Sequence, residues 1–112
     1  MGRIVFAALI LCTVSSGAVA EVTGNDWKDF CLAGEQTPKY AMCVGYLSGS
    51  LDGIRFMQKA TGAIVLCEPP NGVTIAQWVA IITKYLNEHP EQLHFAASSL
   101  VPKIVNSAFP CK

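Results

Sequence analysis

Histidine is scarce in this chain: His89 and His94 are the only two in 112 residues. They flank a proline turn and are not spaced with the cysteines as zinc ligands would be. No serine occupies a G-x-S-x-G turn, no C-x-x-C pair occurs, and no glycine loop ends in Lys-Ser or Lys-Thr. Nothing therefore supplies a nucleophile with a placed base, and no metal or cofactor is expected. Charge is also sparse and balanced, with 8 Lys and Arg against 8 Asp and Glu. Without a basic stripe or an acidic tail, nucleic acid is excluded as a partner. No apolar run reaches the roughly 20 residues that a membrane-crossing helix needs. No stretch alternates strictly at period two, which argues against a sheet.

What is present begins with the layout of a secretory leader. Arg3 supplies the positive end, Ile4 to Val14 is an apolar run, and Ser15 to Ala20 is small-residue spacing with Ala18 and Ala20 placed for cleavage. Residues 1–20 are read as a signal peptide and 21–112 as a single domain. Cys12 lies inside the apolar run and would leave with it. Leu11 before it is too large for a lipoprotein processing site. The expected location is outside the cytoplasm, with no membrane attachment after cleavage. A domain of this size is small enough for covalent staples to matter.

The remaining pattern is helical. A first helix is expected over about 25–32, with Trp27, Phe30 and Cys31 on one face. Thr37-Pro38 is a start signal, since proline has no N–H to lose at the first helical position. The helix it opens should run to about Ala60, with Tyr40, Cys43, Leu47, Leu51, Ile54 and Met57 (or Gln58) as its apolar stripe. Gly45, Gly49 and Gly53 recur at spacing four on another face. Each glycine in a helix interior costs about 1 kcal/mol against alanine, so close approach of another helix is expected as compensation. Residues 61–73 form a linker in which Ile64, Val65 and Leu66 are expected to plug the core and Pro69 to Gly72 to turn. Thr74 to Gln77 is a capping box opening a third helix to about Asn87. His89-Pro90 is read as the start of a fourth helix, interrupted by Pro102, with a kink expected near Ser98 to Val101.

Cys31, Cys43, Cys67 and Cys111 follow the leader, so disulfides are expected rather than reactive thiols. Of the three possible pairings, helix geometry favours one. The third and fourth helices, joined by a tight turn, should run antiparallel. Cys67 before one then lies beside Cys111 after the other, leaving Cys31 to pair with Cys43. The surface residues read as partner-facing, from exposure alone, are Asn87, Glu88, His89 and Glu91 at the His-Pro turn, with Pro70 and Asn71 in the linker. Asp26 and Asp29 are read as an exposed first helical turn rather than a metal pair.

Four segments together resemble a known family. Cys43-Val44-Gly45-Tyr46-Leu47-Ser48-Gly49 resembles a C-x-x-Y-hydrophobic-x-G helix. Cys67-Glu68-Pro69-Pro70-Asn71-Gly72-Val73-Thr74 with Gln77 resembles a C-x-P…G-V-T-x-x-Q helix opening. Tyr85-Leu86-Asn87-Glu88-His89-Pro90-Glu91-Gln92-Leu93-His94 resembles a Y-L-x-x-H-P-E-x-L-H hairpin, and Phe109-Pro110-Cys111 a closing F-P-C. The ordered set is similar to the Rap/Tai family of periplasmic immunity proteins, which neutralise type VI secretion amidase effectors. The resemblance implies an all-α bundle of four to five helices stapled by two disulfides, akin to the Hde acid-stress chaperones. It also implies a non-catalytic role, in which the chain binds a cognate peptidoglycan amidase effector and occludes its cleft, and a tendency to form homodimers. A periplasmic acid-stress chaperone, or an orphan structural domain of the same fold, is the alternative reading.

Overall fold

Backbone capping explains where most of the helices begin. A computed structural model of the chain describes Gly2, residues 21–69 and residues 71–112. The segment read as a leader, apart from Gly2, and Pro70 of the expected partner-facing set lie outside the described residues. Among the described residues four α-helices follow one another: α1 (Gly24–Leu32), α2 (Pro38–Thr61), α3 (Ile75–Glu88) and α4 (Ala97–Ala108), with one 3₁₀ turn at Pro90–Gln92. No β-strand occurs among the described residues, so the fold is the expected all-α bundle.

The Thr23 side chain caps α1 and exchanges hydrogen bonds with Asp26, three residues on. Two orphan amides are satisfied by one pair of side chains. Thr37 caps α2 with Pro38 at the first position, and Gly62, at φ 74°, ends it in the left-handed conformation. Thr74 and Gln77 make the expected capping box at the start of α3.

The core gathers one stripe from each helix. Trp27 and Cys31 of α1 meet Cys43, Leu47 and Leu51 of α2, Trp78, Val79, Ile82 and Leu86 of α3, and Leu100, Val101, Ile104 and Val105 of α4. Trp27 is wholly buried. Its Nε1 donates to the Cys43 carbonyl at 3.4 Å, and its ring meets Tyr46 edge-on. The two disulfides are the pair expected, Cys31–Cys43 and Cys67–Cys111. Their separations of 12 and 44 residues correspond to about 3 and 4 kcal/mol of loop-closure stabilisation, acting on the unfolded chain.

Three expectations are corrected. The fourth helix does not start at His89-Pro90 but at Ala97. The intervening backbone is committed elsewhere: the Leu93 and Phe95 carbonyls accept from the Asn25 and Gly24 amides, and Ala97 N–H donates to the Val22 carbonyl. This antiparallel bridge, Thr23 to Ala96, pins the start of α1 to the start of α4. Carbonyls so engaged cannot continue a helical ladder.

The second correction concerns Gly45, Gly49 and Gly53. A Cβ added at any of them would meet nothing within 4 Å. Each lies two residues beyond a buried stripe residue, Cys43, Leu47 or Leu51. Two residues turn a helix through about 200°, so the glycines face away from the core. Among the described residues nothing packs against them at that distance. Gly24 is the glycine that permits close approach, since a Cβ there would lie 3.0 Å from the Leu93 main chain.

The third correction is Ile64, which is 82% exposed, whereas Leu66 is buried. Gln58 Oε1 accepts from the Val65 and Leu66 amides at 2.7 and 2.6 Å. Asn106 accepts from Cys67 N–H and donates to the Val65 carbonyl. These clamps fix residues 65–67 against α2 and α4 and leave Ile64 beyond the core.

Candidate functional site

The surface residues singled out from sequence fall in two places. Asn87 and Glu88 are exposed at the C-terminus of α3, and His89 and Glu91 follow in the turn. Asn71 is exposed in the α2–α3 loop, before α3 begins. The 14-residue α3 separates the two sets by about 20 Å. They are not one patch.

The turn is internally tied. His89 Nδ1 lies 3.1 Å from Glu91 Oε1, and its ring packs on Tyr85 at 4.2 Å between centroids. Tyr85 OH donates to Gln92 Oε1 at 2.9 Å. The Glu91 carboxylate is held below its ordinary pKa, first by its own backbone amide and then by the His89 contact. His94 is exposed and stacks beside Phe95, over which Lys103 Nζ lies at 5.1 Å. Among the described residues no three His, Cys, Asp or Glu side chains gather as metal ligands.

The loop end is built differently. Arg55 on α2 pairs with both Asp52 and Glu68, donating through Nε to the Glu68 carboxylate at 3.1 Å and through Nη1 to Asp52 at 3.2 Å. These bonds raise the Arg55 pKa further, the Glu68 contact most of all. Arg55, Glu68, Asn71 and Gly72 line a small hollow floored by Trp78. Around the Gly62 cap, Arg55, Gln58, Lys59 and Ile64 line a second one. The loop thus has an apolar tip on a main chain held by two amide side chains, an ion pair and the Cys67–Cys111 bridge.

A second surface is the outer face of α2. Met42 is 52% and Phe56 74% exposed, and Gly45, Gly49 and Gly53 lie between them. Sequence reasoning placed Ile64 in the core, named Gln58 only as an alternative to Met57 on the α2 stripe, and missed Asn106 and Phe56. The signal that could have found Phe56 is its place on the glycine face. Gln58 and Asn106 gave none, because their partners are main-chain atoms of a loop.

No helix among the described residues is long and apolar enough to cross a membrane. No curated protein and no solved structure matches the chain significantly. A sequence profile of the Rap1a immunity proteins does match, over residues 23–111. The matched span runs from the Thr23 cap to the last bridged cysteine and takes in all four helices. The chain belongs to that family, the Rap1a immunity proteins, whose members act by binding a cognate effector.

Proposed function

We propose that the protein is exported to the periplasm, where it binds and inhibits a peptidoglycan amidase effector of type VI secretion, without catalysis of its own. The observation that carries the docking site is Ile64. It is the most exposed large apolar side chain described, on a segment that Gln58 and Asn106 hold in place. A prepositioned apolar tip loses little conformational entropy on entering a cleft. Asn71 belongs to the same loop and would rim the contact. Asn87, Glu88, His89 and Glu91 would take part only if the effector reaches along the whole of α3. The test is calorimetry and amidase assay against effectors encoded beside this gene. Ile64→Asp should weaken binding and inhibition at least tenfold and leave the helical spectrum unchanged. Undiminished inhibition by that variant removes the loop as the site, and no binding to any such amidase removes the function.

The reading includes a homodimer through the outer face of α2. Met42, Gly45, Gly49, Gly53 and Phe56 are arranged symmetrically about Gly49, at offsets of four and seven on each side. An antiparallel two-fold pair centred there would place Met42 of one copy against Phe56 of its partner and glycine against glycine. Self-complementarity of this kind is what an isologous interface requires. Sedimentation equilibrium should give a dimer that Phe56→Glu converts to a monomer. A wild-type protein that stays monomeric at high concentration excludes it.

A further inference from the structure

The two disulfides differ in what surrounds them. Cys31 and Cys43 are 4% and 0% exposed, inside the main core cluster beneath Trp27. Cys111 is exposed and Cys67 half-buried, beyond the end of α4. Thiol–disulfide exchange requires a thiolate to reach one sulfur, so access governs its rate. We propose that Cys67–Cys111 is a thiol-exchange site of the folded protein, open to a dithiol reductant, while Cys31–Cys43 is closed to it.

The step balances with the dithiol alone. Its thiolate attacks Cys111 Sγ, a mixed disulfide forms, and the Cys67 thiolate leaves. The second thiol of the reductant then attacks its own sulfur in the mixed disulfide and releases Cys111. Two electrons pass to the protein, the reductant becomes a disulfide, and its two protons end on Cys67 and Cys111.

What opens is limited by the other anchors. Residues 65–67 keep their bonds to Gln58 and Asn106. Phe109 keeps its edge contact with Trp78 at 5.6 Å. Freedom is gained by the chain beyond Phe109 and by the loop after Cys67, where Glu68 remains tied only through Arg55. The bridge is therefore a latch on the α2–α3 loop and the C-terminal tail, and not on the core.

The native protein is exposed to graded dithiothreitol, quenched with iodoacetamide and mapped by mass spectrometry, with any Cys12 peptide scored separately. Cys67 and Cys111 should be alkylated at least tenfold faster than Cys31 and Cys43, at a rate proportional to dithiothreitol throughout. Hydrogen exchange on the partly reduced protein should rise in 68–73 and 110–112 and stay slow in 65–67. Alkylation of all four cysteines in step overturns the proposal. So does a Cys67–Cys111 rate that saturates with reductant, because saturation means that unfolding must come first.

Discussion

Asn106 holds Val65 from 41 residues away: its Nδ2 donates to the Val65 carbonyl at 2.8 Å. Its Oδ1 accepts from Cys67 N–H at 3.1 Å, so one amide satisfies a donor and an acceptor of the segment, as a residue on a neighbouring strand would. Part-buried backbone groups left without partners cost about 1–3 kcal/mol. Asn106→Ala should therefore destabilise the protein by about 2 kcal/mol. Asn106→Asp should retain the bond to Cys67 and lose the one to Val65, giving an intermediate loss. Urea unfolding of the three proteins measures the order. Equal stability of wild type and Asn106→Ala would show that water replaces the clamp.

The glycines give a prediction of opposite signs. Gly24→Ala forces a methyl to 2.9 Å from Leu100 and 3.0 Å from the Leu93 main chain. Overpacking against backbone costs typically 1–3 kcal/mol. Gly45→Ala and Gly53→Ala place their methyls in open space, so each should stabilise the isolated fold by up to about 1 kcal/mol through helix propensity. Thermal unfolding at low protein concentration reads both effects. A stabilising Gly24→Ala would contradict the close contact between the start of α1 and Leu93.

The contrast between these glycines also marks how far the sequence could be read. Helix starts were legible at Thr37-Pro38 and at the Thr74–Gln77 box because capping is local chemistry, and the cysteine pairing followed from helix order. The Thr23–Asp26 box is equally local but lies just before the residue where periodicity alone places the helix. The late start of α4 was not legible. It depends on carbonyls of Leu93 and Phe95 meeting amides of Asn25 and Gly24, 68 and 71 residues earlier. Periodicity identifies the glycine face but not what covers it. The apolar run Ile64-Val65-Leu66 looks uniformly buried, and only the reach of Gln58 and Asn106 decides that Leu66 goes in and Ile64 stays out. The turn residues of the α2–α3 loop could be singled out from sequence, whereas the exposure of Ile64 could not.

Acid should weaken the cap of α1. The Asp26 pKa lies below its ordinary 3.8 because the Thr23 backbone amide, and then its hydroxyl, bond the carboxylate. A depressed folded pKa means that this contribution is fully present above the unfolded value and is lost as pH falls through the folded one. The difference in Tm between wild type and Asp26→Asn, measured from pH 7 downward, should hold to about pH 5 and shrink below pH 4. A gap that does not change with pH would mean that the ionised carboxylate adds nothing to the cap.

Alkali should act through Tyr46. Its hydroxyl titrates above the ordinary 10.0, chiefly because burial disfavours the phenolate, with Glu21 adding repulsion against the opposing pull of Ser98 and Ser50. The folded state therefore keeps a proton that the unfolded chain releases. Stability from this source is complete below pH 10 and declines as pH rises toward the folded pKa, because the unfolded state then binds fewer protons. The urea midpoint of wild type should fall more steeply above pH 10 than that of Tyr46→Phe, whatever their relative stabilities at neutral pH. Tyrosinate absorbance should show an ionisation phase above pH 10 that is lost in Tyr46→Phe. Parallel midpoint curves for the two proteins would place the Tyr46 hydroxyl in water rather than against the start of α4.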